Sequence, residues 1–202
     1  MTLAPYAPAA PLAPSDIPDS PAPLAAGAVT PRMTSDAAPS PADSFPLALL
    51  LEGKLVVLVG GGKVAARRAA AFAGAGARLR IVAPTLHQSI AELLGPRDEW
   101  VQREFILGDL TDAWLAHTAT GDPAVDAEVA REAEWRHIFC VNAGDRDAGT
   151  AAVPARATAH TFTGRVQVAV DSGDPRRSVA VARHMQDELE SGRAPLRPRR
   201  RR

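Results

Sequence analysis

One short stretch restricts the fold of this chain more than any other. Leu55–Val59 reads LVVLV, and Gly60, Gly61 and Gly62 follow at once. A continuous apolar run of that length, rich in β-branched residues and bounded by glycines, is how a strand buried on both faces reads. Residues 64–75 are then rich in Ala and Arg and free of Pro, which predicts a helix, and Gly74 and Gly76 stop it. The pattern repeats. Strands are predicted over 78–83, 100–105, 115–120 and 137–141, and helices over 86–94 and 124–135. Strands alternating with helices specify a parallel sheet with right-handed crossovers. The expected fold is therefore α/β, a Rossmann-type doubly wound sheet, with a strand at 165–170 and a helix at 178–190 as a short extension.

The ends of the chain differ from its middle. Residues 1–45 hold 10 of the 18 prolines and are otherwise mostly Ala, Ser and Asp. Proline fixes φ and removes a donor, and Ala buries little area, so this leader is expected to stay disordered. Six Arg and no acid fall in 193–202, a basic tail. Between the two, residues 46–192 carry 16 basic and 19 acidic side chains. Over the whole chain 23 basic and 23 acidic residues balance, so no global field suits nucleic acid or an anionic membrane, while the tail reads either as a solvated end or as a tether for nucleic acid or another anion. The folded part divides into a dinucleotide-binding domain over 46–153 and a strand–helix region over 154–192.

The single cysteine, Cys140, cannot form an internal disulfide, so a reducing, cytoplasmic compartment is expected. No run reaches the roughly 18 apolar residues of a membrane span. The first residues lack both a basic region and a continuous apolar core, so no signal peptide is read. No Cys/His group has metal-ligand spacing, and no structural metal is expected.

The chemistry starts at the glycines. Gly60, Gly61, Gly62, Lys63, Val64 and Ala65 fit G-x-G-x-x-A between a strand and a helix. In that pattern the first glycine permits a tight turn, the second lets a pyrophosphate approach the backbone, and Ala65 lets helix and strand pack closely. The helix N-terminus adds free N–H groups and a partial positive charge. NAD is the expected cofactor. An acidic residue ~20 positions further on would normally hold the ribose hydroxyls. None occurs between Gly53 and Ala91, and the second strand ends in Ala83, Pro84 and Thr85 instead. Arg67 and Arg80 leave NADP open.

With these residues in view, the chain from Phe45 to about Gly192 resembles the precorrin-2 dehydrogenase domain of siroheme synthases. The stretches that carry the resemblance are FPLALLLEGKLVVLVGGGKVAARRAAAF, ARLRIVAP, HTATGDPAVDAEVAREAEWRHIFCVN and VQVAVDSGDPRRSVAVARHMQDELE. The Ala83-Pro84 ending is itself typical of that family. The resemblance implies NAD-dependent oxidation of precorrin-2 to sirohydrochlorin. In some members it also implies insertion of ferrous iron to give siroheme. It implies that Thr118, Ala119 and Thr120 line the cofactor, that the tetrapyrrole carboxylates meet Arg176 and Arg177, and that two copies pair.

The family places a catalytic Asp after the strand that ends near Cys140. Without a gap Gly144 falls on that position; with a one-residue slip Asp145 does, and Asp145 is the expected catalytic residue. Gly144 also keeps a second reading open, a catalytically lapsed protein that binds NAD or tetrapyrrole without turnover. A third class, a nucleotide-sensing regulatory subunit, normally keeps the acid that this second strand lacks.

Overall fold

The computed structural model describes residues 44–194. All but the last two residues of the expected leader and all but the first two of the basic tail lie outside the described residues. Five parallel strands form one sheet in the order β3-β2-β1-β4-β5: β1 Leu55–Val59, β2 Arg78–Val82, β3 Glu99–Val101, β4 Leu115–Thr118 and β5 Phe139–Asn142. The order places β1 at the centre, paired with β2 on one side and β4 on the other. This explains why all five of its residues are buried. Val56 and Leu58 pack on one face against Ala65, Ala69 and Phe72 of helix α1 (Lys63–Ala73). Leu55, Val57 and Val59 pack on the other against Val129 and Ala133 of helix α3 (Pro123–Trp135). A side-chain period of two thus feeds two separate cores from one strand.

Several elements are shorter than the sequence suggests. The helix expected over 86–94 is the four-residue α2, Gln88–Ala91. Its chain is drawn back to the sheet by Asp98, whose carboxylate accepts from Gly95 N at 2.8 Å and Leu79 N at 2.7 Å. The strand expected over 100–105 ends at Val101, because Asp109 captures the segment beyond it. Asp109 takes both Arg103 guanidinium nitrogens at 2.6 Å and the Ile106 amide at 3.0 Å. Helix α3 begins where Asp122 caps it, accepting from Ala124 N at 2.8 Å, with Pro123 in its first turn.

The C-terminal region holds one strand more than expected. Ala155–Thr161 (β6) and Gly164–Val170 (β7) form an antiparallel hairpin, and α4 (Pro175–Glu190) lies against both strands. β6 reads ARATAHT and lacks the branched aliphatics that mark a strand; its ladder to β7 supplies the conformation. Helix α4 starts three residues earlier than expected because Asp174 accepts from Arg177 N at 2.8 Å. Arg176 and Arg177 therefore sit in its first turn. Burial in this region is thin, limited to Ala159, Ser178, Ala182 and Leu189.

Candidate functional site

The carboxyl ends of β1, β2, β4 and β5 meet around the start of α1, the edge where parallel sheets hold their ligands. Gly60 takes φ +110°, and a Cβ there would lie 2.4 Å from Ala119 O. A Cβ on Gly61 would lie 1.9 Å from Thr85 O and 3.0 Å from Ala83 Cβ. The first two glycines are thus required by the protein's own backbone. Gly62 differs: a Cβ there would meet nothing within 4 Å. It caps α1 with no side-chain hydrogen bond, and no acid stands in the first turn. The first-turn amides, which have no intrahelical acceptors, therefore open onto uncontested space. Lys63 and Val64 are exposed beside that space, and Ala65 is fully buried against the sheet. Ala83 is buried beneath Trp100, whose indole N–H donates to Ala83 O at 2.9 Å, and Pro84 is exposed next to it. The residues present fit a dinucleotide pyrophosphate. Arg80 pairs with Glu99 at 2.7 Å and so does not face the cofactor edge as a free cation.

The β4 end is built from side chains. Thr118 is fully enclosed and its hydroxyl donates to Asp126 Oδ1. Thr120 reaches the same oxygen twice, through its hydroxyl at 2.7 Å and its amide at 3.2 Å. Asp126, in the first turn of α3 and only 5% exposed, thus holds the turn 118–120 in place. Reading the sequence missed this residue, because position 126 looks like one more acid on a helix surface. Its Oδ2 accepts no hydrogen bond from any described residue and is not sealed from solvent.

At the end of β5, Asn142 Oδ1 accepts from Gly144 N at 2.9 Å and Asp145 N at 3.0 Å. Asp145 is exposed and caps the 3₁₀ turn Arg146–Ala148, accepting from Asp147 N at 3.0 Å. Arg146 ties this loop to Asp171 at the end of β7. Arg177 donates to Ser172 O, and Arg176 is exposed; neither touches the glycine turn.

Behind the site lies His117, fully buried with both ring nitrogens unpartnered and its ring edge-on to Phe72. Burial, reinforced by nearby Arg68, pushes its pKa down to about 4. Burial also lowers Arg68, with Arg67 and Arg156 adding like charge. These three arginines make no ion pair among the described residues. Cys140 is sealed in the core, and burial followed by the Asp126 charge raises its thiol to about 11, so it is an inert core residue.

Fold and glycine turn together define a dinucleotide-binding Rossmann domain. The family model described as putative NAD(P)-binding matches residues 47–155, more than half of the chain, and the chain belongs to that family. The chain is 34% identical over 149 residues to a siroheme synthase of Tolumonas auensis, covering 74% of this chain and 30% of that protein. It is 42% identical over 97 residues to a siroheme synthase of Pseudomonas paraeruginosa, covering 48% of this chain and 21% of that one. The chain thus spans less than a third of the length of these relatives. Among solved structures, "SirC, precorrin-2 dehydrogenase" is similar with a TM-score of 0.54 at 25% identity, over 74% of this chain and 71% of that one. No helix among the described residues is long and apolar enough to cross a membrane.

Proposed function

We propose that this chain oxidises precorrin-2 to sirohydrochlorin with NAD+, a step of siroheme biosynthesis. The observation that carries the reading is the open cradle at Gly62 in a fold similar over most of both chains to a precorrin-2 dehydrogenase. In this reading Gly60, Gly61 and Gly62 bring the backbone to the pyrophosphate, and the amides of Lys63, Val64 and Ala65 face its charge. Ala83 and Pro84 flank the adenosine half, and the 118–120 turn borders the nicotinamide half. NAD+, when bound, accepts a hydride. The protein's part is to orient the macrocycle, to balance its carboxylates and to take up the proton.

For the carboxylates, Arg176 and Arg177 at the start of α4 supply positive charge, and Arg67, Arg68 and Arg156 form a second cationic group. For the proton, Asp145 and Asp126 stand at the β5 edge. The C-terminal region is proposed to pair with a second copy, since Val179, Val181 and Met185 of α4 remain about two-fifths exposed. Ferrous iron would enter as a second substrate once sirohydrochlorin has formed. Binding without turnover is the competing reading, favoured by Gly144 and by the capping role of Asp145.

The test is anaerobic incubation of the purified chain with precorrin-2 and NAD+. The expected result is the sirohydrochlorin spectrum with matching NADH. Addition of ferrous iron then asks whether siroheme forms. A chain that binds NAD+ and sirohydrochlorin but turns neither substrate over establishes the competing reading.

A further inference from the structure

We infer that Asp126, and not Asp145, is the carboxylate that accepts the substrate proton; the inference rests on the dehydrogenase reading above. Gly144 leaves a gap at the end of β5. A Cβ built there would lie 3.5 Å from Asp126 Oδ2 and 3.5 Å from Asn142 Oδ1. The gap is therefore walled by a carboxylate oxygen that arrives from α3. Both oxygens of Asp126 have distinct surroundings. Oδ1 accepts from the Thr118 hydroxyl and from the hydroxyl and amide of Thr120. Those three donors fix the orientation of the side chain. Oδ2 accepts from no described residue and stays accessible in a side chain otherwise buried. A fixed carboxylate with one open oxygen is what proton acceptance needs.

Asp145 lacks these properties. It is exposed, and its Oδ1 caps the 3₁₀ turn by accepting from Asp147 N. In the balanced step a proton leaves the tetrapyrrole as an O–H bond forms on Asp126 Oδ2. The pair of the broken bond stays in the macrocycle as part of the new double bond. The accompanying hydride goes to the nicotinamide dinucleotide as oxidant.

The experiment compares four proteins: wild type, Asp126→Asn, Asp145→Asn, and Asp126→Asn combined with Gly144→Asp. Asn at 126 keeps an acceptor for the three donors and turns the open oxygen into an amide NH2. The expected result is an unchanged melting temperature, NAD+ and sirohydrochlorin affinities within about threefold, and a kcat lower by ~10²-fold or more. Asp145→Asn should lower kcat less than Asp126→Asn does, and the reverse order overturns the assignment. Gly144→Asp returns a carboxylate to the same gap from the other wall, since a Cβ fits there at ordinary contact distance. It should restore at least tenfold of the lost rate. A purely structural role for Asp126 would not be repaired from position 144. Full activity of Asp126→Asn overturns the assignment, and so does a loss that Gly144→Asp leaves unrepaired. A wild type without turnover overturns the dehydrogenase reading and the assignment with it. With a working wild type, the variants bear on Asp126 alone.

Discussion

At the carboxyl end of β1 the chain enters α1 through three glycines, and at the end of β4, its neighbour in the sheet, it enters α3 through a threonine-rich turn held by a buried acid. The first turn works by leaving side chains out. Its backbone lies so close to Ala119 and to Thr85 that two of three positions have no room for a Cβ. The second works by putting side chains in: Thr118 and Thr120 converge on one oxygen of Asp126. One turn is rigid because backbone meets backbone, and the other because a charged acceptor gathers its donors. The rigid glycine turn suits a cofactor whose phosphates need the main chain. The acid-centred turn suits a reaction that moves a proton.

The sharpest way to break this contrast is Gly61→Ala. A Cβ at 1.9 Å from Thr85 O cannot be relieved by a side-chain rotation, because the obstacle is backbone. Overpacking of this kind is expected to cost about 3 kcal/mol or more. Urea denaturation should show a lower midpoint, with NAD+ binding lost in parallel. A fully stable Gly61→Ala protein would mean that the β1 and β2 ends do not meet as described.

The β4 side is tested by His117→Leu. His117 is protonated in the unfolded chain below its ordinary pKa of 6.5, but in the fold only below about 4. Its folded pKa is depressed, so the unfolded state binds the extra proton between those values. Stability is then fully present above pH 6.5 and falls as the pH drops towards 4. The complete loss is on the order of 3 kcal/mol. Leucine has no proton to bind and leaves no unpartnered ring nitrogen. Its unfolding free energy should therefore stay nearly level across that window, while wild type declines. Parallel pH curves for the two proteins would show that His117 has partners the described residues do not supply.

The two turns also differ in how openly they are written. Leu55–Val59 and the glycines sit together in the chain, so strand, turn and helix are all legible as a local pattern. The same holds for Ala65, whose small side chain lets α1, on which it sits, pack close to the sheet. The β4 turn joins Thr118 to Asp126, eight positions away, and Asp126 in turn lies beside Gly144, just past the end of the next strand. No spacing rule announces that Asp126 faces inward, since acids in a first helical turn are common for the helix dipole alone. Asp145 is the expectation that the family resemblance carries with a one-residue slip, and its capping bond to Asp147 becomes visible only with coordinates. β6 escapes a reading of the sequence for a related reason. Its residues are small and polar, and its strand conformation depends on a partner ladder rather than on its own composition.

The mildest substitution for the fold is Gly62→Ala, one residue from the most severe. Gly62 has φ −81° and ψ −172°, an extended conformation open to any residue, and its Cβ would meet no atom of the protein within 4 Å. The loss of a glycine N-cap for alanine should change stability by less than about 1 kcal/mol. The effect falls instead on the ligand. A methyl group at this point projects into the space over the first-turn amides of α1, where the pyrophosphate is proposed to lie. NAD+ affinity, followed by quenching of protein fluorescence, should drop by about tenfold or more while the melting temperature holds. A carboxylate in the same place, as in Gly62→Asp, should abolish binding through charge repulsion as well as bulk. Unchanged NAD+ affinity in both variants would move the cofactor away from α1. The absence of a side chain at Gly62 would then have no explanation in the fold, because nothing inside the protein requires it.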